Sequence, residues 1–321
     1  MSQSRLQLDL DAVGQAHDRI RPHVHRTPIV KCETLNQLTG CELFLKCENF
    51  QKSGAFKFRG ATNTVFSLSN AEAERGVVTH SSGNHGAALA RAARARGIPA
   101  TVVMPKNAPA VKQNAVRSYG ATTRFCEPTL DSREATADEV IRETGGILVH
   151  PYNDERIICG QATAAVELLE QVPDLDAILT PVGGGGMLSG TLLTVKLQKP
   201  KICVVGCEPK LADDAYRSWK SGSIEPVERT DTIADGLRTA LGDKTFPIIQ
   251  NYVDEIALAE EETILKATWL FLERAKIVVE PSAAITLAVL LDGGLLNDLR
   301  GKRVALMLTG GNIDLRQLKS R

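Results

Sequence analysis

At 321 residues the chain is longer than a single hydrophobic core usually grows, so one large domain or two intimately joined ones are expected. Lysine plus arginine and aspartate plus glutamate balance at 38 each, which excludes a general field for nucleic acid or an anionic membrane and points to a small-molecule site. An apolar share of 43% with 4% aromatics excludes disorder and fits an α/β protein of helix-covered strands.

The start, Met1 to Asp9, has no apolar signal core, and the longest apolar stretch, near Ile285 to Leu291, is far too short to span a bilayer. The seven cysteines (Cys32, Cys41, Cys47, Cys126, Cys159, Cys203 and Cys207) form no CxxC pair and lie mostly in apolar, strand-like stretches. They read as buried thiols of a reducing compartment, and a cytoplasmic protein is expected.

In chain order the first strand is Leu43 to Cys47, which has no partner nearby and is expected to join a sheet formed later. From Gly76 to His150 short β-branched runs alternate with helical ones. The strands are Val77 to Thr79, Thr101 to Met104, Ala121 to Phe125 and Ile147 to Val149; the helices are Ala87 to Arg96, Ala110 to Tyr119 and Ser132 to Glu143. The pattern predicts a four-stranded parallel unit, and Gly97, Gly120 and Gly145-Gly146 stand where left-handed helix ends want glycine. A second series follows: a helix from Ala162 to Gln171, a strand from Asp176 to Val182, a helix from Met187, a strand from Ile202 to Cys207, and a last strand from Val304 to Leu308. A small βα domain over 68–147 is therefore expected inside a larger one made of 1–67 and 148–321, with a cleft between two open twisted parallel sheets.

Four segments place glycine or small polar residues where a strand meets a helix, the ligand edge of a parallel sheet. In Ser53-Gly54-Ala55-Phe56-Lys57-Phe58-Arg59-Gly60 a lysine lies between two phenylalanines at a helix start. An apolar collar lowers an ammonium's pKa and suits Schiff-base chemistry, although the same residues also describe an ordinary helix lysine with its stem on Phe56. Gly183-Gly184-Gly185-Gly186-Met187 follows the strand ending at Val182 and opens a helix, so its backbone N–H groups can nest a phosphate. No Lys-Ser/Thr follows and the G-x-G-x-x-G spacing fails, which removes a P-loop and a dinucleotide fingerprint; a tight turn is the alternative. Ser81-Ser82-Gly83-Asn84-His85-Gly86 offers hydroxyls, a carboxamide and free amides to a carboxylate, or is a plain serine cap. Leu308-Thr309-Gly310-Gly311-Asn312 offers a hydroxyl to a ring nitrogen and room for a flat ligand, or is a C-terminal turn.

Together these segments resemble the fold-type II pyridoxal-phosphate (PLP) enzymes, the tryptophan synthase β-like group, and within it the serine racemase and serine/threonine or 3-hydroxyaspartate dehydratase branch. The likeness runs over nearly the whole chain, from Arg26-Thr27-Pro28 through Lys46-Cys47-Glu48-Asn49, Thr232 to Gly236 and Glu280-Pro281-Ser282 to Gly310-Gly311-Asn312. It implies that Lys57 carries the cofactor and Phe56 lies against its ring. It further implies that Asn84 meets the ring hydroxyl, Gly183 to Met187 hold the phosphate, Gly236 lines the other ring face and Thr309 meets the pyridine nitrogen. The substrate carboxylate would dock on Ser81, Ser82, Asn84 and His85, and Ser82 would serve as the acid on the face opposite Lys57. Many relatives have serine or cysteine where Thr309 stands. A hydroxyl cannot protonate the pyridine as an aspartate would, which favours β-elimination over transamination.

The resemblance also gives Glu208, the Ala212 carbonyl and Asp214 as a site for Mg²⁺, Ca²⁺ or another divalent cation such as Mn²⁺. Spacing alone describes a solvated acidic helix start equally well. Arg133 and Arg238 are candidate cations for a second substrate carboxylate, or surface arginines. The activity implied is a dehydratase (ammonia-lyase) turning L-serine, L-threonine or 3-hydroxyaspartate into a keto acid and ammonia. Serine racemase is the first alternative and a non-catalytic phosphate-ligand-binding protein the second. A homodimer is expected, with ATP as an intersubunit effector. The chain ends soon after Asn312, so isoleucine feedback of the biosynthetic type is not expected.

Overall fold

The computed structural model of the chain describes residues 8–318, except Ser82 and Pro109. Among them ten strands divide between two sheets. In chain order they are β1 (Ile29–Val30), β2 (Glu42–Lys46), β3 (Val77–Thr79), β4 (Ala100–Pro105), β5 (Thr122–Cys126), β6 (Ile147–Leu148), β7 (Ala177–Pro181), β8 (Cys203–Pro209), β9 (Glu255–Ala259) and β10 (Arg303–Met307). The larger sheet has the order β1-β2-β10-β7-β8-β9 and the smaller one β5-β4-β3-β6. Every pairing is parallel except β1 with β2.

The early strand does find its partner at the far end of the chain, with Leu43 opposite Val304 and Leu45 opposite Leu306. Period-two alternation then builds two apolar layers. Leu43, Leu45, Val304 and Leu306 face the helix Pro281–Leu291, whereas Phe44, Ala305 and Met307 join the helices Glu155–Gln171 and Gly186–Gln198 on the opposite side. In the smaller sheet the expected helix ends are glycine-capped: Gly97, Gly120 and Gly145 have φ of 74°, 83° and 69°.

The helix expected from Ala162 begins earlier, at Glu155, because the Asp154 side chain caps it by accepting the Arg156 N–H. It is buried over most of its length and crosses the helix Lys57–Ser67 at two glycines. A Cβ on Gly160 would lie 2.5 Å from the Gly60 Cα, and Gly60 donates its N–H to Gln161 Oε1 at 3.1 Å. This close approach fixes how far the Lys57 helix stands from the larger sheet. Chain following β10 and β6 meets the start of that helix, where Ala55 bridges Gly310 and Lys57 reaches the Pro151 carbonyl.

Gly160→Ala forces backbone apart at this crossing and is expected to cost about 1–3 kcal/mol, read as a lower chemical-denaturation midpoint. An unchanged midpoint would show that the crossing has slack.

Candidate active site

The chain reaches Lys57 through a strained turn. Ser53 and Gly54 have φ of 64° and 76°, and a side chain at Gly54 would meet Asn312 Oδ1 at 2.4 Å. Ala55 then bridges Gly310, and the Phe56 N–H donates to the Thr309 carbonyl at 2.9 Å. Two segments more than 250 positions apart thus place Thr309 beside the helix start. Lys57 Nζ donates to the Pro151 carbonyl at 2.7 Å and lies 5.0 Å from the Phe56 ring centroid and 6.0 Å from that of Tyr152. Burial pushes the amine's pKa down to about 8, against the opposing pull of Glu280.

The two-phenylalanine collar needs correction. Phe58 is buried in the apolar cluster of the smaller sheet, with the Arg91 guanidinium over its ring. Phe56 and Phe58, two positions apart, project about 200° from one another around a helix, so the two rings go to different cores and only Phe56 stays near the amine. Tyr152 supplies the second ring, and its position directly after the β6 strand end was the available signal.

Beneath Lys57 lies a buried ion network that the motif Lys46-Cys47-Glu48-Asn49 only hinted at. Arg59 donates from Nε and Nη2 to Glu48 at 2.7 and 2.8 Å, and from Nη1 and Nη2 to Glu167 at 2.8 and 2.7 Å. Lys46 Nζ donates to Glu167 at 2.7 Å, and to the Thr27 carbonyl and Gln171 Oε1 at 2.9 Å each. Two cations and two carboxylates therefore close on one another out of water.

The glycine loop runs from β7 into the helix Gly186–Gln198. Gly185 has φ of 87°, a Cβ on Gly184 would sit 2.4 Å from the Tyr152 ring, and one on Gly183 would sit 3.0 Å from the Leu237 Cα. Thr245 Oγ1 holds the Gly184 carbonyl at 2.8 Å, so the carbonyl is turned away while the loop amides and the helix's positive end remain for an anion. Met187 is buried in the helix's first turn. Gly236 approaches the same loop and donates its N–H to Ser282 Oγ at 2.9 Å. The donor set, and a cradle that any added Cβ would fill, fit the phosphate of PLP.

Across the cleft, Asn84 opens the helix Asn84–Arg96. Its Nδ2 donates to Glu280 Oε1 at 2.8 Å and its Oδ1 accepts from Asn312 Nδ2 at 2.9 Å. A carboxamide has two N–H groups, so one more donor is available for a ring hydroxyl. His85 is buried, with Nε2 on the Val149 carbonyl at 3.1 Å and Nδ1 unpartnered. Burial, with Lys57 next, lowers its pKa to about 3, so the ring is a neutral acceptor at Nδ1. Ser81 Oγ faces the Gly83 N–H at 3.4 Å; Ser82 lies outside the described residues. Arg133 Nε donates to the Thr129 carbonyl at 3.3 Å, and its charge reaches His80. Arg238 is turned onto the Thr232 carbonyl, at 3.2 Å from Nε.

Glu208 and Asp214 are fully buried, which removes the reading as a solvated helix start. The Glu208 oxygens accept the Ala215 and Tyr216 N–H groups at 2.8 Å each, whereas both Asp214 oxygens are without partners. Burial raises the Asp214 pKa to about 7, and burial next to Asp214 holds Glu208 well above the ordinary carboxylate value. Ala212 is buried between them in sequence. Among the described residues no group of three or more His, Cys, Asp or Glu side chains gathers as a metal cage. A cation here would rest on two carboxylates, a carbonyl and water, and orphaned carboxylate oxygens fit that need.

Residues 20–310 match the family described as pyridoxal-phosphate dependent enzyme. The chain belongs to that family and is a fold-type II PLP enzyme. It is 52% identical over 303 residues to the beta-hydroxyaspartate dehydratase of Paracoccus denitrificans (strain Pd 1222), covering 94% of this chain and 96% of the relative. It is 49% identical to a serine racemase of Arabidopsis thaliana, covering 97% and 95% of the two chains. Among solved structures, the serine racemase from Dictyostelium discoideum superposes with a TM-score of 0.92 at 48% identity, covering 96% of this chain and 99% of that one. A T.th. threonine deaminase does so with 0.91 at 42%, covering 95% and 99%. Membership of an enzyme family replaces the non-catalytic alternative.

Arg59→Met leaves the Glu48 carboxylate with the Thr27 hydroxyl but no cation bonded to it, and Glu167 with Lys46 alone. Breaking a buried pair in this way is expected to cost about 3–5 kcal/mol, measured by chemical denaturation, and a loss below about 1 kcal/mol would mean the network behaves like a surface pair.

Proposed function

We propose that the protein is a dehydratase (ammonia-lyase) of small β-hydroxy amino acids, L-serine, L-threonine or 3-hydroxyaspartate. The observation that carries this reading is Lys57: a dried amine of lowered pKa, held by the Pro151 carbonyl and 6.0 Å from the Tyr152 ring that packs against Gly184 of the glycine loop. The division into a domain of 1–67 and 148–321 and an inserted one of 68–147 belongs to the same proposal, with the reaction in the cleft between them.

In this reading the backbone amides of Gly183 to Gly186 and the positive end of the helix behind them bind the phosphate. With the cofactor bound, Phe56 and Gly236 would flank its ring and Thr309 would meet the pyridine nitrogen. The bound cofactor supplies an electron sink for a carbanion at the substrate Cα. The substrate carboxylate docks on Ser81, Ser82, Asn84 and the remaining acceptor-and-donor groups around His85, which needs a bridging water because its Nδ1 carries no proton. Lys57 Nζ, once free, takes the Cα proton, and its pKa near 8 leaves a useful neutral fraction at pH 7. Departure of the β-hydroxyl with that proton amounts to loss of water, and hydrolysis then releases the keto acid and ammonia.

The dicarboxylate substrate gains support from the 52% identical dehydratase and from Arg133, whose helix borders the cleft near His80. Racemisation is the second reading, supported by the 49% identical racemase, with Ser82 reprotonating the opposite face. A divalent cation at Glu208, Ala212 and Asp214 is part of the proposal, as are ATP as an intersubunit effector and a cytoplasmic homodimer. Phe50 and Val278, both exposed and linked through Asn49, which donates to the Val278 carbonyl at 3.1 Å, offer an apolar face for the dimer.

Lys57→Ala is expected to abolish both cofactor attachment and turnover. A panel of L- and D-serine, L-threonine and the 3-hydroxyaspartate isomers, scored for keto acid and for chirality, tests the substrate class, and activity on none of them rejects it. On the same panel, Ser82→Ala should remove D-enantiomer formation while elimination survives; a constant ratio of the two would leave Ser82 a binding group. Exhaustive chelation should lower the melting temperature by a few degrees, restored by Mg²⁺, Ca²⁺ or Mn²⁺, because it leaves two buried carboxylates side by side. An unshifted melting curve in a demonstrably metal-free sample would mean that the pair is protonated instead.

A further inference from the structure

The turn after β6 is built on a side chain. His150 Nδ1 accepts the backbone N–H of Tyr152 at 3.3 Å and that of Asn153 at 2.9 Å. A ring nitrogen that accepts two N–H groups carries no proton, so the imidazole is the neutral tautomer with its hydrogen on Nε2. The ring is wedged edge-on between His80 and Tyr152, with centroids 5.6 and 4.6 Å away. Burial, His80 and Lys57 push its pKa down to about 4, against the weaker pull of Asp154 and Asp243.

Three consecutive residues of this turn reach the site. Pro151 gives its carbonyl to Lys57 Nζ at 2.7 Å. Tyr152 lays its ring 6.0 Å from Nζ and against Gly184, with its Cβ and backbone against Gly186. Asn153 donates to Asp243 at 2.7 Å and accepts the Lys244 N–H at 2.9 Å, which ties the turn to the segment whose Thr245 holds the Gly184 carbonyl. One acceptor atom thus organises contacts to both the lysine and the glycine loop.

We propose that His150 is a positioning residue: through its unprotonated Nδ1 it holds the 150–153 turn that keeps the Lys57 amine dry and aimed. The inference rests on Lys57 being the cofactor lysine. His150 acts through Pro151 and Tyr152. Without the acceptor, two N–H groups lose their partner, the turn opens, and water reaches Nζ. Desolvation is the largest cause of the lowered amine pKa, and the charges facing the amine are Glu280, which raises it, and the neutral rings of His85 and His150. Hydration therefore raises the pKa and leaves more of Lys57 as unreactive ammonium at neutral pH.

The test mixes apoprotein with PLP over a pH series and follows the absorbance of cofactor bound to the lysine. The neutral amine adds to the aldehyde carbon and water leaves, so the attachment rate climbs through the amine's pKa, near 8 in the wild type. In His150→Leu the midpoint should rise by about one unit, with attachment at neutral pH about tenfold slower. His150→Asn, whose Oδ1 can accept the same N–H groups as an Asx turn, should stay close to wild type. A wild-type midpoint in His150→Leu, or a His150→Asn displaced as far as His150→Leu, overturns the proposal. If the wild type itself forms no adduct, the failure belongs to the Lys57 reading instead. Should His150→Leu not fold, nitrogen-15 NMR of the wild-type chain decides: an unprotonated Nδ1 at neutral pH supports the role, and a proton on it rejects the role.

Discussion

The closed quartet of Lys46, Glu48, Arg59 and Glu167 is the constraint on which the site's geometry depends. It joins the end of β2 and the turn after it to the Lys57 helix and the helix Glu155–Gln171, adding a charged lock to the glycine crossing of the two helices. Arg59 stands two residues beyond Lys57, and its guanidinium is held on both sides by carboxylates. Slipping the helix by one residue would rotate Lys57 by about 100° and would unpair charges that have no water to turn to. Such networks add little net stability compared with apolar packing, but an unpaired alternative is so costly that they exclude other registers. In this protein the excluded registers are those that would aim Lys57 away from the glycine loop.

Much of this was legible in the sequence because it depends on local chemistry. Gly97 and Gly145 ended helices where a left-handed residue was needed, and the four glycines after β7 announced a close approach of backbone to ligand. Leu43 to Cys47 read as a strand lacking a partner, and its partner proved to be β10, at the other end of the chain. The features that escaped were those set by distant packing. Phe58 adjoins Lys57 in sequence yet faces another core, because a helix sends neighbours in different directions. Glu167 carries no local signature; its role comes from partners that sequence separation hides. β9 escaped because an edge strand of five residues, Glu255 to Ala259, has too short an alternation to stand out. Ser82 lies outside the described residues, so its proposed role still rests on resemblance.

The electrostatics of the cleft are consistent from one element to the next. His80, His85 and His150 all have pKa values pushed down by burial, so His85 and His150, which face the lysine, and His80 behind His150 add no positive charge there at neutral pH. A further cation there would raise the cost of protonating Lys57 and weaken it as an acceptor of the Cα proton. The neutral rings instead act through fixed acceptor nitrogens and through bulk. Their tautomers follow from partners on the backbone: His85 is set by the Val149 carbonyl, and His150 by two N–H groups of its own turn.

Buried charge in this protein falls into two kinds, and the difference locates function. In the quartet, every donor of Lys46 has an acceptor, Arg59 lies between two carboxylates, and the formal charges cancel. Nothing remains for a ligand to do. Lys57 is different, since the pull of Glu280 does not offset its desolvation and its pKa falls. Asp214 and Glu208 are different in the opposite sense, with two neighbouring carboxylates out of water and the oxygens of Asp214 unpartnered. Folding does not retain uncompensated buried charge for stability, because replacing it with apolar residues would be cheaper. Each of these sites therefore suits a partner of definite chemistry. For the lysine it is a carbonyl carbon that removes the ammonium by condensing with it, and for the carboxylate pair it is a shared proton or, as proposed above, a hard cation that takes oxygen ligands.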